Sequence, residues 1–555
     1  MTELVEPAPA IAAILPYAPT RALGPIDVDL AGTESGDGGV LARYPDAAPL
    51  QGRLASALGV PADQVLVTAG ADDALDRIFR AMLCPGREVI LTTPTFEMLP
   101  RYARLSGAKL VEVPWECGAL PVDALIGAIT PSTSLIVIVS PNNPTGAVAD
   151  FEDLRALAEA APTALLAVDL AYVEFADVDP TRALLRLPNA VVTRTFSKAW
   201  GLPGIRVGWV AGPAPIVGWF RKAGNPYAVA APSLALAMAA ECSATDERDE
   251  RIEALRASRD RLYRCLTTLG LEPLPSQANF ICVRALSWFR DALAGLGIAV
   301  RHFRHADGER VRITCPVEPA LTRRVERAIR TVRAPEALLF DMDGVIADVS
   351  RSYRTAIIDT AAHFGVEVTA ADVQAMKARG NANDDWQLTT DLLAARGREV
   401  LLAEVTAEFE RRYQGESGRA GLRELEKSLV SNAWLAAAAA RYSLGIVTGR
   451  PRRDAEHFLA RFGLAEHFRC CVTMEDGPSK PNPAVVLVAL RRLRVSHAWL
   501  IGDTPDDIRA ARAAEVLPIG IVAHQDGIDT LRDALLVAGA ARVLDNLNDL
   551  MELLP

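Results

Sequence analysis

The chain has 555 residues, half of them hydrophobic, with 59 Lys and Arg against 69 Asp and Glu and a formal net charge of −10. That balance excludes a global attraction to nucleic acid or to an anionic membrane surface, so an anionic substrate has to be met by local arginines. The length allows several domain-sized units with sizeable cores. Eight cysteines are scattered without a C-x-x-C or Cys/His cluster, which argues against structural zinc and a disulfide framework. Glu3 and Glu6 precede the short apolar stretch 11–15 with no basic residue before it, unlike a secretory signal. No apolar run approaches the roughly 18 residues of a membrane helix. A soluble, cytoplasmic protein is expected, with neither nucleic acid nor membrane as partner.

In chain order, 64–68, 88–92, 109–114, 135–140, 164–169 and 191–195 read as short buried strands, and segments such as 72–83 and 151–160 between them have helical period. Strand–helix alternation predicts an α/β fold with a mostly parallel, covered sheet. A charged helix over 246–269 leads to a smaller C-terminal lobe at about 270–332. Pro335 disfavours helix in the residue before it and marks a join at 332–336, giving domains 1–333 and 334–555. The second alternation starts at 337–340 and returns at 443–448, 470–473, 497–502 and 517–522. A mainly helical insert fills about 350–445.

The first half carries the groups that pyridoxal phosphate requires of a protein: a lysine for its aldehyde, an acid for its ring nitrogen, a donor to its ring hydroxyl, a stacking face and a phosphate cradle. Lys198 follows a strand, next to Ser197 and a glycine-bearing turn, and Arg206 could clamp phosphate in a bidentate fork. Asp169 ends a strand and could keep the ring nitrogen protonated. Tyr172 and Asn143 are candidate partners of the ring oxygen, and Phe96 of the ring face. The stretch 68–72, with Gly70, Ala71 and Asp72, opens a helix whose free N–H groups suit a phosphate.

Together with Arg43-Tyr-Pro-Asp46, Pro94-Thr-Phe96, Ser140-Pro-Asn-Asn-Pro-Thr-Gly146 and Thr195–Gly208, these residues make the chain, over about 20–332, resemble the fold-type I aminotransferases, and within them the histidinol-phosphate aminotransferase family. The resemblance implies a large α/β domain with a small C-terminal lobe, and a homodimer in which Tyr44 reaches the cofactor phosphate of the neighbouring subunit. It also implies that Asn279 lies near the substrate and that Arg301 and Arg312 bind acidic groups, Arg312 receiving the donor's carboxylate and the acceptor's phosphate in turn. The family's Asn-Glu-Asn-Pro-like segment is represented by Leu30-Ala-Gly-Thr-Glu-Ser-Gly36, where Glu34 is the candidate match and both asparagines and the proline are gone.

In the second half, Asp341 and Asp343 stand two apart at the end of an apolar run, on one face if the run is a strand. Two carboxylates so close need a cation, and a hard, oxygen-ligated ion such as Mg2+ fits. One can attack phosphorus while the other protonates the leaving alkoxide. Thr448 could donate to a phosphoryl oxygen, Lys480 could neutralise developing charge, and Asp503 and Asp507 complete the carboxylate set. The ordered motifs Asp-x-Asp-Gly, Thr-Gly-Arg, Lys-Pro and Gly-Asp-x-x-x-Asp resemble the haloacid-dehalogenase superfamily of phosphohydrolases over 337–555. That resemblance implies a Rossmann-like core, a phosphorylated Asp341, Asp343 acting as acid and then base, and Mg2+ on Asp341, the Asp343 backbone carbonyl and Asp503. The helical insert is then a specificity cap, with Lys377, Arg379, Asn381 and Trp386 as candidate contacts.

The expectation is a bifunctional enzyme that aminates a phosphorylated ketone from glutamate, forming 2-oxoglutarate, and then hydrolyses the amino phosphate ester. Imidazole-acetol phosphate, as in histidine biosynthesis, is the first acceptor to consider, and a small ketol phosphate such as dihydroxyacetone phosphate the second. A pyridoxal-phosphate-binding regulator is a third reading. Such regulators carry a basic DNA-binding domain in front, and none precedes Gln64.

Overall fold

The computed structural model describes residues 5–17, 39–243, 245–305, 308–380, 384–522 and 528–555. The chain forms two compact units, Met1–Arg284 with Phe303–Thr322, and Ala285–His302 with Arg323–Pro555. No helix among the described residues is long and apolar enough to cross a membrane.

The first unit is built on a seven-stranded sheet of β1 (Val65–Thr68), β2 (Glu88–Thr93), β3 (Lys109–Pro114), β4 (Thr133–Val139), β5 (Leu165–Asp169), β6 (Ala190–Thr195) and β7 (Gly208–Ala211), in the order β1-β7-β6-β5-β4-β2-β3. The run from β6 to β3 is parallel, as the alternation predicts. The difference is β7, a four-residue strand antiparallel to both β1 and β6. Its Gly-Trp-Val-Ala run is too short to stand out in the sequence. Period-2 alternation divides the core into two layers: Leu166 and Val168 of β5 face one, Leu165 and Ala167 the other. The helices Ala71–Met82 and Phe151–Ala160 cover opposite faces. A separate four-stranded sheet has the order Arg301–His305, Gly308–Thr314, Phe280–Arg284, Glu272–Pro273.

The second unit holds a six-stranded sheet in the order Phe468–Val472, Ser443–Val447, Ala337–Phe340, Ala498–Gly502, Leu517–Ile521, Arg542–Leu544, parallel throughout. Ala337, Leu339, Val447, Val472 and Leu500 form its dry core with Val485, Val486 and Ala489 of one covering helix and Ala510 and Ala511 of another. The insert contributes the helices Tyr353–His363, Ala370–Arg379, Asp385–Ala395 and Leu402–Gln414. Thr369 and Asp372 start the second of these with a reciprocal capping box, and Asp384 caps the third.

The compact units do not part at residue 333. Ala285–His302 and Arg323–Arg333 group with the second unit. The buried Trp499 indole donates to the Thr331 carbonyl at 2.7 Å and meets the Trp288 ring edge-on at 5.9 Å, while Arg327 pairs with Glu515. Half-buried Trp288, which lies before the join, therefore packs into the second unit. Trp288→Ala is expected to destabilise the second unit by about 2 kcal/mol, read as an earlier calorimetric transition for that unit. An unmoved transition would mean the tryptophan pair adds nothing.

Candidate active sites

The carboxyl ends of β1, β2, β4, β5 and β6 deliver side chains to one cavity of about 230 Å3. It is lined by Ala71, Asp72, Phe96, Asn143, Asp169, Ala171, Tyr172, Thr195, Ser197, Lys198, Pro203 and Arg206. Nine of the residues singled out in the sequence for the coenzyme thus meet in one place. Gly70 is the N-cap of the helix that opens at Ala71, where the first N–H groups have no partner within the helix. Close beneath runs β7: a Cβ on Gly208 would lie 2.6 Å from the Ala71 nitrogen, so only glycine fits. Arg206 adopts φ +53, an unusual left-handed conformation for a residue with a side chain. Its guanidinium meets the Asp72 carboxylate at 2.9 Å and the Ser197 hydroxyl at 3.4 Å. Guanidinium, hydroxyl and helix start form a cradle suited to a phosphate.

The other end of the cavity is electrostatically unfinished. Asp169 is buried, and its Oδ1 accepts from the Thr193 hydroxyl at 2.8 Å and the Ala171 N–H at 3.2 Å. Burial nonetheless pushes its carboxyl up to about 6. A protonated ring nitrogen is the cation this site calls for. Burial, and then the Arg312 guanidinium, lowers the Lys198 ammonium's proton affinity, favouring the neutral amine that bonds an aldehyde. Its Nζ stands 5.3 Å over the Tyr172 ring. Burial pushes the Tyr172 phenol up to about 12, so it remains a donor. Arg312 donates to the Asn143 side-chain oxygen and lies over the rings of Phe280 and Phe303, at 5.0 and 5.6 Å. These residues fit pyridoxal phosphate at both its ends.

Other candidates lie elsewhere. Tyr44 does not line this cavity; it stacks on Tyr227 at 4.5 Å. Asn279 is half-buried, with its carbonyl accepting the Cys315 N–H at 2.9 Å. Arg301 is exposed at the start of its strand. Glu34 and Asn381 fall outside the described residues, as does the Arg379 side chain.

In the second unit the strand order reverses about Ala337–Phe340, the switch point where open α/β sheets bind ligands. Asp341, Thr448 and Asp503 each directly follow a strand there. Carboxylate oxygens of Asp341, Asp503 and Asp507 lie within 4.8 Å of one another, all three residues buried. Asp507 is fixed by a capping box, its Oδ2 accepting the Thr504 N–H at 3.0 Å and hydroxyl at 2.6 Å. A Cβ on Gly502 would sit 2.2 Å from the Asp507 Cβ, so glycine is what admits that carboxylate to the strand end.

Lys480 Nζ donates to Asp341 Oδ1 at 2.7 Å, to the Val447 carbonyl at 3.0 Å and to Asp507 Oδ1. Among the described residues, Lys480 bonds two of the three carboxylates and Lys377, paired with Asp385, acts on Asp503 at longer range, so the group stays negative. Burial raises the Asp341 carboxyl well above its ordinary range; Lys480 opposes this, and Asp507, Asp343 and Asp503 add to it. Crowded, buried, all-oxygen donors with excess negative charge fit a hard divalent cation such as Mg2+. Thr448 Oγ accepts the Arg450 N–H at 3.1 Å, which leaves its own proton to donate.

The Asp343 carboxylate is not part of that cluster. Its Oδ1 accepts from Arg450 Nε at 2.6 Å, so only the backbone carbonyl named for Asp343 remains a candidate metal ligand. Arg450 was not among the residues picked from the sequence, although it completes the Thr-Gly-Arg motif. In the cap, Lys377 pairs with Asp385 at 3.2 Å, and Trp386 is half-buried in the helix turn capped by Asp384.

The Asp169 environment sets a pH signature. Between about pH 4 and 6 the folded, coenzyme-free protein holds a proton that an unfolded aspartate, near 3.9, releases. Stability contributed by this group therefore falls as pH rises through that window. Coenzyme-free Asp169→Asn should be more stable than wild type at pH 8, by on the order of 2 kcal/mol, and converge with it near pH 4, while binding the coenzyme more weakly. Parallel stability–pH curves for the two proteins would contradict this.

Comparison with known proteins matches each region to a family model. Residues 19–329 match the aminotransferase class I and II family model, and residues 335–515 match the haloacid dehalogenase-like hydrolase model. An imidazoleglycerol-phosphate dehydratase of Phytophthora nicotianae is 43% identical over 237 residues, 40% of this chain, a match that spans only 52% of that relative's length. An aromatic amino acid aminotransferase of Corynebacterium jeikeium is 37% identical over 54% of this chain and 84% of its own. A histidinol-phosphate aminotransferase of Chlorobium phaeovibrioides is 38% identical over 47% of this chain and 74% of its own. A provisionally assigned histidinol-phosphate aminotransferase from Erwinia carotovora atroseptica shares the fold, with TM-score 0.50, 22% identity, 53% of this chain and 88% of that one covered. The chain belongs to the class I and II aminotransferases, whose coenzyme is pyridoxal phosphate, and behind that region it matches the haloacid dehalogenase-like hydrolases.

Proposed function

We propose that this chain aminates a phosphorylated ketone at the expense of glutamate and then removes the phosphate from the amino ester it has made. The observation that carries the reading is that a Lys198–Asp169 pocket and an Asp341–Asp503–Asp507 cluster are each assembled in one polypeptide. Imidazole-acetol phosphate is the preferred acceptor, giving histidinol phosphate and then histidinol. The names of relatives support this, since histidinol-phosphate aminotransferases recur among them. A ketol phosphate such as dihydroxyacetone phosphate is the second reading, favoured by the absence of the family's asparagines and proline at 30–36. A cytoplasmic homodimer joined through the aminotransferase region completes the proposal, with Tyr44 serving the neighbouring pocket.

In the first site, pyridoxal phosphate when bound supplies the electron sink for amino transfer. Asp169 holds the proton on the ring nitrogen, and Tyr172 and Asn143 orient the ring oxygen. Arg206, Ser197 and the helix start at Ala71 hold the phosphate. Lys198 Nζ, biased toward its neutral form, moves a proton at the substrate carbon. Arg312 receives the anionic ends of donor and acceptor.

In the second site, Mg2+ when bound neutralises phosphoryl oxygens. Asp341 Oδ attacks phosphorus as the bond to the substrate's alkoxide oxygen breaks, and Asp343 gives that oxygen a proton. Water then attacks the phosphorylated Asp341, giving its proton to Asp343 and releasing phosphate. Lys480 offsets the charge that develops at Asp341.

Separate assays of 2-oxoglutarate and phosphate test the scheme. Lys198→Ala should abolish amino transfer yet hydrolyse supplied histidinol phosphate. Asp341→Asn should stall at the amino phosphate, with phosphate release down by at least about 1,000-fold. Chelation of Mg2+ should stop phosphate release alone. Loss of both activities in a folded Lys198→Ala protein would overturn the two-site scheme, and turnover of dihydroxyacetone phosphate in preference to imidazole-acetol phosphate would select the second acceptor.

A further inference from the structure

Arg450 is a fully enclosed cation near the hydrolase site, and nothing in the chemistry above has used it. Its side chain is 1% exposed. Nε donates to Asp343 Oδ1 at 2.6 Å, and Nη1 donates to Glu426 Oε2 at 3.1 Å and faces the Tyr413 hydroxyl at 3.4 Å. The guanidinium carbon lies 4.8 Å from the Tyr353 ring centre and 5.4 Å from that of Phe458. Glu426, 2% exposed at its side chain, also accepts from the Ser352 hydroxyl at 2.8 Å and the Tyr413 hydroxyl at 3.1 Å. Tyr353, Tyr413 and Glu426 belong to the insert, whereas Asp343 and Arg450 follow core strands. A buried charge with this many directed partners is held in one orientation, and its fork fixes what it touches.

We infer that Arg450 is the positioning residue for Asp343: its guanidinium, clamped by the insert's Glu426, Tyr413 and Tyr353, sets where the Asp343 carboxyl stands when it gives the proton to the departing alkoxide. The inference rests on the phosphatase reading above. Asp341–phosphorus bond formation and alkoxide–phosphorus cleavage are unchanged by it; Arg450 acts only on delivery of the proton. It also gives the insert a direct link to the chemistry, because the groups that hold Arg450 are the insert's own.

A leaving-group comparison on the full-length chain separates this role from general support. An alkyl phosphate, histidinol phosphate, needs its departing oxygen protonated; p-nitrophenyl phosphate, with a good leaving group, does not. Arg450→Met should slow the first turnover of histidinol phosphate by about 100-fold, the scale of a general acid. The first-turnover burst of nitrophenolate should stay within about threefold of wild type, and KM and the Mg2+ requirement should be unchanged. Arg450→Lys keeps the buried charge but cannot reach Asp343 and Glu426 together, and it should show the same selective loss; it carries the test if the Met variant does not fold. Equal losses on both esters, in whichever variant folds, would overturn the inference. A wild-type protein that hydrolyses p-nitrophenyl phosphate but no alkyl phosphate would refute the phosphatase reading itself, and the inference with it.

Discussion

Buried carboxylates at the ends of parallel strands are the constraint on which both sites depend. A parallel sheet covered on both faces has dry strands, so a carboxylate placed directly after one is desolvated by the fold itself. Asp169, the last residue of β5, and Asp341 and Asp503, directly after the central strands of the second sheet, all stand at such strand ends. The protein answers each with hydrogen bonds, and with Lys480 in the second case, but supplies too little positive charge to balance them. The shortfall is met by what binds: a protonated ring nitrogen in one unit and a divalent cation in the other. The same geometry thus serves two unrelated chemistries, and the fold class alone decides neither.

Much of this was legible in the sequence because the strands are short, apolar and continuous, and the chemistry-bearing residues come directly after them. Lys109–Pro114 and Phe151–Ala160 have the bounds that hydrophobic period predicts, and Asp169, Lys198 and Asp341 could be placed at strand ends from apolar runs alone. Two features were not legible for physical reasons. The β7 strand, Gly208–Ala211, owes its existence to pairing with β1 and β6, which are distant in sequence, and its glycine matters through the space beside Ala71 rather than any local propensity. Arg450 looks like an ordinary motif arginine until Glu426 and Tyr413 are folded against it.

The join between the two halves shows a further limit of chain order. Pro335 marks a change of pattern, yet the Trp288–Trp499 contact and the Thr331 carbonyl under the Trp499 indole tie residues before the join to the hydrolase-side core. A residue's compact unit is set by where its apolar surface is buried, and for the Ser287–Gly295 helix that is the second unit.

If uncompensated carboxylates organise both sites, each ligand should stabilise its own unit without help from the other. Calorimetric melting of the coenzyme-free, metal-free protein, repeated with pyridoxal phosphate alone, Mg2+ alone and both, measures this directly. The account predicts that the coenzyme raises only the transition of the aminotransferase unit, that Mg2+ raises only that of the hydrolase unit, and that the two shifts add. Transitions that respond to neither ligand would contradict it.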